Sequence, residues 1–546
     1  MTFDPKSETA ADQADASDFV SLPRRQLLVA LSGVLLALLL AALSQTIVAT
    51  AMPRIIIDLG GFDRYTWATT SYIVASAVAI PIVGRLSDLY GRRIFFLLGI
   101  TIFMIGSIPA GLSQTMSQLI GFRAIQGLGG GIIMTTSLAA IADLFPPEER
   151  GKFQGLVALV YGMASVLGPT LGGFITDNLS WNWIFLFNVP AGIPVLLLIA
   201  RTFPQNTPNT PEVTQRNLDY PGMMTLICAI ISILLPLSWA GVQYEWSSPQ
   251  TIGLLAFGLV MTVAFVVVES RSDSPIMPLD VYRNRVMAVS VVVMCLSGLA
   301  LYGSIMFVPL FFQGVLDASA TTSGSYLTPM MLAVVFGAIL SGILLRRTGR
   351  YRRQAFFSTG LMTTGMLLLS AMDERTSFAG AVGSLVIMGI GLGGTLPVFT
   401  MAVQNSVPFR FRGLATSMLL FYRLVGGMMG LAVLGAVLTK RFSKRLEGML
   451  SENVRASLPP DRLDAIEKNP RVLFDPSTTD TLRAEFAEVE VDGVQMTEML
   501  LDSLNSALAG AVGDTLTVGA VAISLSVVAV LFLDTPGGSA HAPKRE

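Results

Sequence analysis

The stretches GRLSDLYGRR (84–93) and GILLRRTGRY (342–351) are two copies of one loop. Each sets two glycines seven residues apart and follows the second with an arginine. A second matched pair lies downstream of each copy: PPEERG (146–151) and PFRFRG (408–413) both read Pro-x-x-x-Arg-Gly. The sequence around these loops is apolar. It therefore reads as two parallel repeats, with extra apolar segments inserted between them. Duplicated halves of this kind build many secondary transporters, whose substrate site lies near the bilayer midplane where the halves meet.

The composition requires a membrane. Of 546 residues, 52% are hydrophobic and 13% charged, about half the charge of a soluble domain. Runs of roughly 20 apolar residues, each long enough for a ~30 Å hydrocarbon core, recur along the chain. They predict an all-α polytopic protein of fourteen spans, at 27–50, 66–86, 93–113, 117–141, 153–177, 183–201, 221–240, 251–269, 287–313, 325–346, 353–372, 377–402, 412–439 and 510–533.

Six spans form an N-terminal bundle (27–201) and six a C-terminal bundle (287–534), with two inserted spans in the linker 202–286. Basic residues set the orientation. They crowd one set of loops (Arg24, Arg25, Arg85, Arg92, Arg93, Arg150, Arg271, Arg346, Arg350, Arg410), whereas the other short loops hold little beyond Arg54, Arg64 and Arg375. The tails 1–26 and 535–546 are thus expected in the cytoplasm, and the acidic first 22 residues have no signal-peptide pattern. The long connection 440–509 is expected as an extracytoplasmic cap with amphipathic pieces at 461–468 and 481–490.

Several chemistries are excluded. Cys228 and Cys295 lie in apolar runs without metal-ligand or disulfide spacing, and the single histidine, His541, is in the C-terminal tail. Phosphate-binding and dinucleotide fingerprints are missing, as is any nucleophile–base pair. No metal, cofactor, nucleic-acid partner or enzymatic activity is expected.

GRLSDLYGRR resembles the loop signature of the major facilitator superfamily, and RAIQGLGGG (123–131) its fourth-helix motif. GMASVLGPTLGG (162–173) resembles the fifth-helix motif of its drug:proton antiporters. Fourteen spans, WATTSY (67–72), WNWIFLFNVP (181–190) and GLATSMLLFYRLVGG (413–427) narrow the resemblance to the fourteen-helix drug antiporter branch. It implies a plasma-membrane monomer that exports amphipathic or hydrophobic compounds by alternating access, with protons as coupling ion. A lipid or lipid-linked-metabolite transporter is the alternative. Its partners would be the bilayer, an amphipathic small molecule or lipid, and protons.

The loop residues Gly84, Asp88, Gly91 and Arg92, with Asp143 at the end of the fourth span, read either as a latch that breaks between access states or as a charged loop fixing topology. Gly84 and Gly91 are expected to let spans two and three approach. Arg346 replaces Asp88 in the second copy, so that half should latch differently or not at all. In the fifth span, Gly162, Gly168, Pro169, Gly172 and Gly173 read as a kinked helix with one cleared face. The resemblance implies a role in antiport direction, and generic helix packing competes with it.

Arg123 and Arg423 are the sharpest signals, since a guanidinium inside a span costs at least ~2.5–3.5 kcal/mol unless paired or facing a polar cavity. Ser44 shares the depth of Arg123, about six residues from the outer end of its span. With Gln45, Thr46, Tyr72, Gln126, Tyr161, Tyr302, Gln313, Gln404 and Asn405 these residues make up the expected cavity wall. The resemblance also implies an aspartate where this chain has Ser44, and none is present. Candidates for proton coupling are therefore acids nearer the ends: Asp88 and Asp143 inside, Asp58, Asp317 or Asp514 outside, with Asp514 preferred. Two arginines without a buried acid should disfavour cations and tolerate neutral, zwitterionic or anionic amphiphiles.

Overall fold

The computed structural model describes residues 23–60, 64–145, 147–204, 218–240, 244–314, 327–372, 376–408, 411–450 and 493–533. In hydrocarbon every backbone polar group has to be satisfied within the segment, so the spans are helices. The first half holds α1 (Arg24–Leu59), α2 (Tyr65–Tyr90), α3 (Arg92–Gly111), α4 (Met116–Leu144) and α5 (Pro147–Asn178), then a sixth span in two pieces, α6 (Asn182–Leu186) and α7 (Asn188–Thr202). The inserted pair is α8 (Tyr220–Trp239) and α9 (Pro249–Arg271), and a short α10 (Asp280–Arg283) leads onward. The second half holds α11 (Arg285–Gly314), α12 (Leu327–Thr348), α13 (Tyr351–Ser370), α14 (Phe378–Ser406), α15 (Arg412–Met449) and α16 (Gly493–Leu531).

Among the described residues thirteen helices are long and apolar enough to cross a membrane. The fourteenth expected span, 353–372, is the helix α13, diluted by Arg352, Arg353, Gln354, Ser358, Thr359 and Thr363. It survives because it is shielded between α14 and α16, where Gln354, Ser358, Thr359 and Thr363 are buried.

The halves repeat one packing scheme. In the first, α4 packs on α2 and α3; in the second, α14 packs on α12 and α13. Glycines make both possible. A side chain at Gly127 or Gly131 would strike the α2 backbone at Tyr72 and Ser76, and one at Gly129 would strike Phe103 of α3. In the second half, Gly389 and Gly393 meet Met330 and Val334 of α12, and Gly391 meets Met362 of α13. Small residues let backbones approach where lipid supplies no hydrophobic drive. The loop glycines repeat too. Gly91 (φ 87°) and Gly349 (φ 61°) take the left-handed backbone that turns α2 into α3 and α12 into α13. We call this side the arginine-rich end.

The halves meet along α2 with α15 and α5 with α12, and the inserted α8 touches both α2 and α15. α15 has 38 residues, ~57 Å at 1.5 Å per residue, well beyond the hydrocarbon core. Its last turns pack on the start of α16 through buried Phe442, Leu446, Leu500, Leu504 and Leu508. Residues 440–449 and 493–509 thus continue the two spans as helices, and the amphipathic pieces expected at 461–468 and 481–490 lie outside the described residues.

Candidate transport site and interhelical seam

At the arginine-rich end the α2–α3 turn builds a buried charge cluster. Arg92 Nε donates to Asp143 Oδ2 at 2.8 Å, and its guanidinium also bonds Asp88 and Ser87. The three charged side chains are at most 5% exposed. The other oxygen of Asp88 crosses to the second half, accepting the Leu414 backbone N–H at 2.8 Å. Asp88 therefore caps the first turn of α15, where a carboxylate meets orphan N–H groups and the positive end of the helix dipole.

Two glycines keep this seam tight. A Cβ on Gly413 would run into Asp88 and Arg92, and one on Gly84 into Ser417 of α15. Gly84 thus serves the contact between halves; the expected approach of spans two and three through it is replaced by this one. Gly91 supplies the turn. Arg346, exposed, makes no ion pair among the described residues, so the second copy does not repeat the cluster.

The seam allows a direct test. Gly413→Ala adds a methyl group that only the closed seam rejects, at about 1–3 kcal/mol for an overpacked contact. The seam should open roughly 5- to 150-fold more often. The check is the alkylation rate of a Leu414→Cys reporter, with Cys228 and Cys295 removed, by a polar maleimide. An unchanged rate would mean the seam is no barrier.

Deeper in the chain, Arg123 is fully buried in α4. Its Nε donates to Ala68 O at 3.2 Å, and Nη1 to Gln126 Oε1 at 2.6 Å. The guanidinium lies over the Tyr72 ring at 4.3 Å, with Phe185 at 6.0 Å. Gln126 donates on to Ser107 Oγ at 2.6 Å, which also accepts from Asn188 at 3.3 Å. Sequence reasoning missed Ser107 and Asn188, although Asn188 is the polar residue in the apolar run IFLFNVP.

Arg423 of α15 is within electrostatic reach of Tyr302 and Tyr161, and Tyr161 of Tyr72. Tyr302 of α11 lies close to Gln45 of α1, a contact between the two halves. Gln45, Tyr72, Arg123, Gln126, Tyr161, Tyr302 and Arg423 are thus brought together. Arg123 Nη2, Arg423 Nε and Tyr161 Oη are buried without a hydrogen-bond partner among the described residues.

Other expected wall residues are elsewhere. Ser44 is buried, and its Oγ has no hydrogen-bond partner among the described residues, so it does not bond Arg123. Thr46 donates to Ala164 O at 2.9 Å and sits under Gly168, so it binds α1 to α5. Gln404 donates to Thr416 at 2.9 Å and Asn405 to Tyr351 at 2.7 Å. Both lie in the last turn of α14, too near the arginine-rich end for a central cavity. Gln313 lies in the last turn of α11; its side chain is outside the described residues.

In α5, Gly168 and Gly172 pack on Thr46 and Thr50 of α1, and Gly162 on Val335 of α12. Gly173 faces open space. α5 runs through Pro169 as a helix, and the Pro169 side chain is not among the described residues. The glycines thus serve packing on both halves at once.

The acids expected to couple protons are mostly paired. Asp514 is held by Arg445 at 3.0 Å and Arg441 at 4.0 Å, which ties α16 to the projecting end of α15. Asp58 accepts from Trp181 at 2.9 Å beside Arg54. Asp317 lies outside the described residues. Among the described residues no three His, Cys, Asp or Glu side chains gather as metal ligands.

Comparison with known proteins agrees with this geometry. The family model described as Major Facilitator Superfamily matches residues 34–431. Multidrug transporter protein MdtP of Bacillus subtilis (strain 168) is 37% identical over 520 residues, 93% of each chain. Multidrug resistance protein 3 of the same organism is 40% identical over 419 residues, covering 77% of this chain and 81% of that one. Among solved structures, the human organic anion transporter MFSD10 (TETRAN) aligns with a TM-score of 0.58 at 15% identity, over 93% of this chain and all of that one. Helices, seam, repeat and matches agree: the chain is a multi-pass membrane transporter and belongs to the major facilitator superfamily.

Proposed function

We propose that this protein is a secondary active exporter of the multidrug-efflux kind, sited in the cytoplasmic membrane with both termini inside. It moves amphipathic or hydrophobic compounds outward by rocking its halves, in exchange for protons. The observation that carries the reading is the Asp88–Leu414 contact. It is a hydrogen bond between halves at one membrane face, of a kind that water can replace when that face opens. The names of the Bacillus relatives support the cargo class.

A second reading, transport of a lipid or lipid-linked metabolite, is favoured by the central cluster. Two guanidinium groups there keep unpaired donors, Arg123 Nη2 and Arg423 Nε, and among the described residues no carboxylate joins them. Such a site suits an anionic or zwitterionic headgroup and repels a cation.

Proteoliposomes under an imposed pH gradient test both readings, with a cationic dye and a fluorescent anionic phospholipid as probes. Gradient-driven dye uptake supports drug:proton exchange and sinks the charge argument. Movement of the lipid alone supports the second reading. Uptake indifferent to the gradient removes proton exchange.

A further inference from the structure

One buried cluster plays no part in the function proposed above. It lies at the arginine-rich end of the inserted helices, which straddle the seam because α8 packs on α2 and on α15. Glu269, in the last turn of α9, is 3% exposed. Its Oε1 accepts the Met277 backbone N–H, and its Oε2 has no hydrogen-bond partner among the described residues. Asp219 caps α8 and is 7% exposed. Its Oδ1 accepts the Gly222 N–H at 2.8 Å, and its Oδ2 has no hydrogen-bond partner among the described residues. Asp219 lines a cavity of about 10 Å³ that Arg85 and Ile276 also line, room for one water molecule.

The groups facing this pair come from each neighbouring element. Arg85 of α2 is within electrostatic reach of Glu269, and its guanidinium lies over the Phe411 ring at 5.4 Å. Phe411 immediately precedes α15, so Arg85 also reaches across the seam. Tyr282 of α10 is in electrostatic reach of Glu269, and its hydroxyl meets the Tyr422 hydroxyl of α15 at 2.8 Å. Arg271 and Asp273, next to Glu269 in sequence, are exposed.

A buried carboxylate oxygen with no donor is costly while ionised, and a proton is the smallest group that relieves the cost. A buried acid such as Glu269, with a second buried carboxylate in electrostatic reach, favours holding a proton, and a nearby guanidinium favours its loss. We propose that Glu269 and Asp219 form a proton-binding site in the inserted helices, charged while the seam is closed and discharged when it opens. Parting α2 from α15 takes the Phe411 ring from Arg85. The guanidinium then turns to the acids, the carboxyl O–H breaks, and its proton passes through water to the arginine-rich face. The carboxylate left behind pairs with Arg85. This deepens the proton-exchange reading and rests on it.

The test needs neither cargo nor gradient, so its failure is distinct from a failed transport assay. Infrared spectra of the purified full chain are titrated with pH for wild type, Glu269→Gln and Asp219→Asn. Spin labels at Arg25→Cys and Thr348→Cys, with Cys228 and Cys295 removed, report the spacing of the halves at the arginine-rich end by pulsed electron resonance. Wild type should show a protonated-carboxyl stretch persisting at neutral pH, with a label distance that shifts at the same midpoint. Glu269→Gln keeps an acceptor for Met277 and should fold. It should lose the band and hold the acid-form distance at every pH, while Asp219→Asn should move the midpoint. A Glu269→Gln protein that keeps either the band or the pH-dependent distance overturns the proposal.

Discussion

Arg92→Ala should lose about 3–5 kcal/mol of stability, the cost of leaving buried charges uncompensated, and with it nearly all transport. Arg92 lies between Asp88 and Asp143, all at most 5% exposed, so its removal strands two carboxylates beside each other. The loss is large against the ~5–15 kcal/mol that holds a typical domain, and should appear as a markedly lower unfolding temperature in detergent. The triple variant Arg92→Ala/Asp88→Asn/Asp143→Asn removes all three charges. It should recover most of the stability, because no buried charge is left alone, yet stay inactive because the seam has lost its ionic partners. Equal destabilisation of both variants would show that packing, and not charge, holds this corner.

The sequence disclosed features that one helix or one loop carries by itself. The matched glycines of 84–93 and 342–351 announced the duplication because a left-handed turn demands glycine at Gly91 and Gly349 alike. Arg123 and Arg423 stood out because a charge inside an apolar run has few explanations. Depth along a helix could be counted, but rotation about its axis could not. Ser44 and Arg123 fall at one level by residue count, yet no hydrogen bond joins them among the described residues, whereas Gln45, one residue on, lies close to Tyr302 in the other half.

Partners that only the folded chain brings together were out of reach. Asp88 and Leu414 are 326 residues apart. Glu269 and Asp219 mark the ends of apolar runs and read as boundary residues; the segment after α9, through the Met277 N–H, helps bury Glu269. Hydropathy also ends where the bilayer ends. Lys440 and Arg441 close an apolar run, but the helix continues to Met449 because Phe442 and Leu446 find a partner in α16.

Arg123→Met should leave the unfolding temperature unchanged or raise it, while uptake of an anionic amphiphile falls roughly 30-fold or more. The stability half follows from what surrounds the guanidinium. Its partners are Ala68 O, Gln126 and the face of Tyr72, Nη2 has none, and no described carboxylate offsets its desolvation. Replacing a buried ion by an apolar side chain of similar size is often neutral or stabilising, and methionine adapts to irregular gaps. The transport half follows from removing one partner of a buried charge–anion contact, worth about 2–5 kcal/mol. Arg123→Lys should fall between, since it keeps the charge but loses the planar stack and the fork. An unfolded Arg123→Met protein would make the arginine a structural part, and a folded variant with full anion uptake would show that cargo never meets it. A buried charge that the fold is no worse without should answer to another partner, and with two arginines and, among the described residues, no acid in the cluster, an anion is the partner this variant tests.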